Sequence, residues 1–130
     1  MDMEARKRSD DAEELRQSKL ISPYGGELVN LMAPAGELAE LKKYARRLPS
    51  VQLTERAVCD LELLATGAFS PLSRFIGQDD YQRILDELQL VDGHVFPIPI
   101  ILPVTPGDGI RIGRDTALRD SKNELLAVMP

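Results

Sequence analysis

Three groups of residues in this chain of 130 have side chains that carry chemistry. The first is a thiol and an imidazole, Cys59 and the only histidine, His94. A structural or catalytic zinc needs three or four His, Cys or carboxylate ligands at workable spacing. One Cys and one His, 35 positions apart, do not supply that set. A reactive thiol needs an electropositive, partly exposed setting. Cys59 lies inside an apolar run and reads as an inert core residue. His94 follows Asp92-Gly93 and reads as the shoulder of a hairpin.

The second group is Ser70, Ser73 and Arg74. A serine hydroxyl becomes a nucleophile only with a base in reach, and the pattern offers none. Ser70 before Pro71 reads as a turn or cap residue, with Phe69 and Leu72 anchoring the turn in the core. The third group is Lys42, Lys43, Arg46 and Arg47, a basic cluster suited to an anion or an acidic partner. The interleaved Glu40 favours a solvated helix face instead. There is no Gly-x-Gly-x-x-Gly and no phosphate-binding P-loop. Gly25-Gly26 and Gly107-Asp108-Gly109 read as turns. No catalytic residue, cofactor or metal ion is expected.

The elements that hold these groups follow from periodicity and punctuation. Residues 1–19 mix both charge signs and offer only Ala12 and Leu15 as an apolar edge, so a disordered arm or frayed helix is expected there. Ser22 to Gly26 is a turn by composition, and Leu28 to Leu31 reads as a short strand. Residues 35–47 read as a helix, with Leu38, Leu41, Ala45 and Leu48 on one face and Pro49 ending it. Glu37 and Glu40 begin that helix and Arg46 and Arg47 finish it, as the helix dipole favours. Val51 to Leu53 reads as a short strand or extended link. Thr54 caps the next helix, which runs to about Thr66. Apolar residues surround most of it, which predicts burial on several sides. Gly67 supplies its left-handed terminus.

A further helix begins near Gly77 or Asp79, with Tyr81, Ile84, Leu85 and Leu88 as its stripe. From Val95 to Val104 the chain reads as an edge strand, because Pro97, Pro99 and Pro103 remove donors from one flank. Ile110 to Ile112, Thr116 to Leu118 and Leu125 to Met129 read as short strands, the last two joined by a turn at Ser121 to Asn123. Helices first and strands after give an α+β class with a small barrel or curled sheet.

Length allows one domain with a modest core. The net charge of −5 argues against a nucleic-acid surface, which needs a basic patch. A single cysteine and a charged beginning without an apolar leader point to the cytoplasm. No run approaches the roughly 20 apolar residues of a membrane span. The apolar strand that reaches Pro130 suggests a domain truncated at its C-terminal end.

The ordered segments also resemble a known family. Pro23 to Leu31, Leu53 to Arg56, Cys59 to Glu62, Thr66 to Leu72, Phe96 to Ile100, Leu118 to Asp120 and Leu126 to Met129 are together similar to the N-terminal domain of bacterial and archaeal sulfate adenylyltransferase (ATP sulfurylase). The match is collinear across roughly residues 20–129. Tyr24, Ala68 and Arg74 depart from it, standing where the family usually has His, Gly and Gly. The resemblance implies a PUA-like fold, a small mixed β-barrel with flanking helices, over residues 20–130. It implies a non-catalytic domain of an enzyme that joins ATP and sulfate into adenosine 5′-phosphosulfate and pyrophosphate. That enzyme's Gln-x-Arg-Asn and His-x-x-His segments are absent here, so this chain is expected to be inactive alone. Gly67, Phe69, Ser70, Pro71, Leu72 and Arg74 are then candidates for a structural turn at an interdomain face. The expected partner is the catalytic domain, in cis or as a separate chain, with homo-oligomerisation possible and neither nucleic acid nor membrane involved. A free-standing PUA-like RNA-binding module and a split regulatory subunit are the alternatives.

Overall fold

The computed structural model describes residues 20–130; the charged arm expected at residues 1–19 lies outside the described residues. Three helices and three strands follow in the order α1 (Leu38–Ala45), β1 (Ser50–Gln52), α2 (Glu55–Thr66), α3 (Gln78–Glu87), β2 (Thr116–Arg119) and β3 (Leu125–Met129) among the described residues. The class is therefore mixed α and β.

The strands form one open sheet in the order β1-β2-β3. β1 runs parallel to β2, with Val51 opposite Leu118. β2 and β3 are antiparallel, with Ala117 opposite Val128 and a register shift at Leu118/Arg119. Such a shift bends a strand and increases its twist. The β2–β3 connection turns through Asn123, whose φ is 65°. Asp120 stabilises it by accepting from the amides of Lys122 and Glu124, both at 2.9 Å.

Two apolar clusters make the core. Leu64, Leu72, Ile84, Leu90, Phe96 and Ile100 form the first, beneath α2 and α3. Val51, Leu53, Ala57 and Leu118 form the second, against the sheet. Phe75 packs against both, so the turn after α2 joins the two halves of the interior. Full burial of a leucine such as Leu64 stabilises the fold by about 1.5–3 kcal/mol.

Several sequence expectations change. Leu28 to Leu31 is not a strand; it is a strap crossing the end of α2, where the Leu31 amide donates to the Ala65 carbonyl at 2.9 Å. α1 is shorter than residues 35–47 at both ends. The second helix keeps its caps: Ala57 donates to the Thr54 hydroxyl, and Gly67 has φ 89°. It is not buried all round, because only Ala57 and Leu64 are fully covered. Cys59 is exposed, contrary to the inert-core reading. Its face, shared with Glu55, Glu62 and Thr66, points to solvent. On α3 only Ile84 is fully buried, and Leu85 and Leu88 are exposed. Leu88 has turned out of the helix into a left-handed cap with φ 58°.

Ile110 to Ile112 forms no strand. Neither does Val95 to Val104, apart from a single bridge between Gln89 and Val95. The proline donors are missing and each proline holds φ near −65°. The burial pattern shows the consequence. Phe96 and Ile100 face the core, while Val95, Ile98, Ile101 and Val104 are 58%, 57%, 40% and 51% exposed. The outward aliphatics Val95, Ile98, Ile101 and Val104 are joined by exposed Pro97 and Pro103, while the buried Phe96 and Ile100 are four apart, so the segment does not show the two-residue alternation of a strand.

Candidate functional site

The turn after α2 is where the strap, the end of α2 and the first core cluster meet. Gly67 closes the helix in a Schellman arrangement: the Ala68 amide donates to Leu63 at 2.9 Å and the Gly67 amide to Leu64 at 3.3 Å. The chain then reverses through Ala68 to Pro71, and the Ser70–Pro71 peptide is cis. Ser70 is buried. Its hydroxyl donates to the Gly67 carbonyl at 2.7 Å and accepts from the Val29 amide at 3.0 Å. Both hydroxyl bonds are therefore engaged in holding the turn and the strap together.

Two glycines leave the space for this approach. A Cβ on Gly67 would stand 2.5 Å from the Val29 carbonyl, and one on Gly25 would stand 2.8 Å from Cβ of Pro71. The strap is fixed further along by Tyr24, whose hydroxyl donates to the Val95 carbonyl at 2.8 Å. The Tyr24 ring meets the His94 ring edge-on at 5.7 Å. Tyr24, where the resembling family usually has His, thus ties the strap to the hairpin shoulder. His94 does sit at such a shoulder, with the Leu90 amide donating to its carbonyl at 2.8 Å.

Phe69 packs on the first core cluster, Leu72 is part of it, and Phe69 meets Phe96 edge-on at 6.4 Å. Pro71, Leu72, Ser73 and Arg74 border an open cleft of about 320 Å³, whose other wall carries Asp80 and Asp92. Arg74 is exposed and has no hydrogen-bond or ion-pair partner among the described residues.

Asp80 accepts from the Val91 amide at 2.9 Å. Asp92 accepts from the His94 amide at 3.0 Å, and its carboxylate lies 2.8 Å from the His94 ring nitrogen. The His94 amide and then its side chain hold the Asp92 carboxyl below the usual carboxylate range. One arginine faces two carboxylates, so the cleft does not favour anions such as phosphate or sulfate. Ser73, on the same cleft, makes no side-chain hydrogen bond among the described residues. Among the described residues, no group of three His, Cys, Asp or Glu converges to hold a metal ion. No helix there is long and apolar enough to cross a membrane.

The basic cluster of the third group stays on the surface of α1 and just beyond it, with Lys42, Lys43, Arg46 and Arg47 all exposed. The Tyr44 hydroxyl on the same helix donates to Asp115 at 2.7 Å. That bond raises the Tyr44 pKa above its ordinary value. A feature that sequence reasoning missed is the outward row Val95, Ile98, Ile101 and Val104. Its signal was present as aliphatics at every third position, hidden by the shared parity of Pro97, Pro99 and Pro103. Beside it, Ile101, Pro99 and Pro103 border a groove of about 170 Å³ against the first turn of α2.

Comparison with known proteins supplies a context for these surfaces. The profile of the PUA-like domain family matches residues 21–130. Sulfate adenylyltransferase from Microcystis aeruginosa is 40% identical over 111 residues, covering 84% of this chain and 28% of that protein. The Nostoc punctiforme sulfate adenylyltransferase is 43% identical over 111 residues, with the same coverages of 84% and 28%. A probable bifunctional SAT/APS kinase from Sorangium cellulosum is 40% identical over 112 residues, 85% of this chain and 19% of that protein. Among solved structures, the hexameric APS kinase from Thiobacillus denitrificans superposes with a TM-score of 0.75 at 40% identity, covering 84% of this chain and 22% of that one. The chain thus spans less than a third of the length of these relatives.

Proposed function

The chain belongs to the PUA-like domain family, and from that premise we propose that it serves as the N-terminal, non-catalytic domain of a sulfate adenylyltransferase. The relatives at about 40% identity bear that name, and each is far longer than the region it shares with this chain. The reaction would join ATP and sulfate into adenosine 5′-phosphosulfate and pyrophosphate. Bringing two such anions together requires several cations and backbone donors in a dry cleft. The open cleft at Arg74 offers one cation against two carboxylates, so the chemistry belongs to a partner domain.

The observation that carries the reading is the outward row Val95, Ile98, Ile101 and Val104. The same segment inserts Phe96 and Ile100 into the core. An apolar row held from beneath supports its reading as a surface that packs against another domain. The turn residues Gly67, Phe69, Ser70, Pro71 and Leu72 act as the joint that holds this segment and the strap in place, with Arg74 at its edge. On this reading the sheet is one wall of a small barrel, completed by Leu102 and Ile110, which pack with Val51 and Leu118. Assembly into a homo-oligomer fits the hexameric structural neighbour, and the cytoplasm is the compartment this reading assigns.

The test is to mix this chain with the remainder of the Nostoc punctiforme enzyme, expressed without its own matching region. Light scattering after gel filtration should show a one-to-one complex. The double variant Ile98→Asp, Val104→Asp should abolish it and keep the wild-type urea midpoint, because both side chains are more than half exposed. No complex with the wild-type chain, or a complex indifferent to the double variant, contradicts the proposal.

A further inference from the structure

One turn of the chain presents an apolar side chain with nothing over it. Ile112 is fully exposed, more so than any other large hydrophobic residue among the described residues. It stands in a tight turn. The Arg114 amide donates to the Arg111 carbonyl at 3.1 Å, and Gly113 takes the left-handed φ of 77° that such a turn needs. Both ends of the turn are pinned. Ile110 packs against the second core cluster, and Asp115 accepts from the Tyr44 hydroxyl at 2.7 Å. Arg111 and Arg114 flank the tip and are exposed, and neither guanidinium has a hydrogen-bond or ion-pair partner among the described residues. The tip is thus an aliphatic anchor between two free cations, held in shape before any partner arrives.

The chain carries the complementary surface elsewhere. The cleft of about 320 Å³ has apolar walls that include Leu72, Ile76, Leu90 and Val91, and it carries the carboxylates of Asp80 and Asp92. One oxygen of each carboxylate is engaged, Asp80 Oδ1 by the Val91 amide and Asp92 Oδ1 by the His94 amide and ring. Each Oδ2 accepts no hydrogen bond among the described residues. Arg74 offsets one of the two negative charges and leaves the other over. Tip and cleft do not meet within one molecule. Ile112 is uncovered, and the tip is rooted in the second core cluster while Leu72 and Leu90 belong to the first. The occupant that matches the cleft is therefore the tip of another copy.

We propose that the tip at residues 111–114 of one copy of this chain seats Ile112 in the Asp80–Asp92 cleft of a second copy, with Arg111 and Arg114 pairing with the free carboxylate oxygens. The two surfaces differ, so the contact is heterologous and repeats head to tail. Opposite charges set the partner and its orientation. The contact weakens as salt rises and the screening length falls to about 3 Å at 1 M. Neither surface includes the outward row Val95, Ile98, Ile101 and Val104, so its failure would leave the proposed domain contact standing.

Sedimentation velocity on the full chain tests this. At low salt the average mass of the wild type should rise with concentration beyond that of a dimer, and sodium chloride at about 1 M should return it to the monomer. The tip variant Arg111→Glu, Ile112→Asp, Arg114→Glu and the cleft variant Ser73→Arg, Val91→Arg change only exposed side chains, so both should keep the wild-type urea midpoint. Each alone should stay monomeric. Mixed in equal amounts, they should form a one-to-one pair and nothing larger, because one intact tip and one intact cleft remain. Arg74→Ser removes the cleft's own cation and should tighten the association several-fold. A wild type that is monomeric at every concentration overturns the proposal. So does association that survives in either variant alone, a mixture that fails to pair, or an Arg74→Ser chain that associates no more tightly.

Discussion

Replacing Gly67 with alanine isolates the joint between strap and helix. Two costs combine. Gly67 has φ 89°, and an alanine there takes a left-handed conformation costing about 1–2 kcal/mol. Its Cβ would also stand 2.5 Å from the Val29 carbonyl and 2.7 Å from Cδ1 of Leu28. The first obstacle is backbone, so the strap must lift. Lifting it breaks the Val29 bond to Ser70 at 3.0 Å and the Leu31 bond to Ala65 at 2.9 Å. Each such bond contributes about 1 kcal/mol net. The sum is about 3–4 kcal/mol. Gly26→Ala is the control: φ is 97° in the same strap, with nothing within 4 Å of the new Cβ, so only the conformational cost of about 1–2 kcal/mol applies. Urea unfolding of both variants, with slopes unchanged from wild type, measures the difference. Amide exchange should accelerate at Val29 and Leu31 in the Gly67 variant alone. Equal losses in the two variants, or undisturbed protection of those amides, would refute the reasoning.

Ser70→Ala should lose about 1–3 kcal/mol in the same urea assay, because the Val29 amide loses its acceptor; a loss under about 0.5 kcal/mol contradicts the joint. Asp92 has a depressed folded pKa, so its contribution is present above the unfolded carboxylate value and lost as pH falls through the folded one. Asp92→Asn should therefore flatten the acid limb of a Tm-against-pH profile. Tyr44 has a raised folded pKa, so its contribution is full below the unfolded tyrosine value of about 10 and lost as pH rises through the folded one. Tyr44→Phe should flatten the alkaline limb, and profiles parallel to wild type contradict either assignment. Cys59 is exposed, so one thiol should react with a disulfide reagent in native buffer; reaction only in denaturant contradicts that.

The helices were legible because their signals are local. Thr54 caps α2 through its own hydroxyl, and Gly67 ends it through its own φ. β2, β3 and their turn were legible for the same reason, with Asp120 and Asn123 setting the reversal. The burial of α2 was not. Its apolar circumference suggested cover on several sides, but Cys59 and Leu63 face outward, on a side where surrounding packing and not periodicity decides. Leu28 to Leu31 has strand composition yet spends its amides on Ala65 and the Ser70 hydroxyl, partners more than thirty residues away. In the 95–104 segment, the shared parity of Pro97, Pro99 and Pro103 suggested a two-residue period. The segment instead inserts Phe96 and Ile100, four apart, into the core and leaves the aliphatics between and beyond them outward. The role of Ser70 as a double tie between turn and strap needed the strap's position, which no local signal contains.

The central claim is that this chain supports a catalytic domain and performs no catalysis itself. A chimera in which residues 20–130 replace the matching region of the Nostoc punctiforme sulfate adenylyltransferase tests it most directly, with the isolated chain beside it. The readout is ATP formed from adenosine 5′-phosphosulfate and pyrophosphate. The account predicts turnover by the folded chimera and none by the isolated chain. Turnover by the isolated chain, or a folded chimera without turnover, would contradict it.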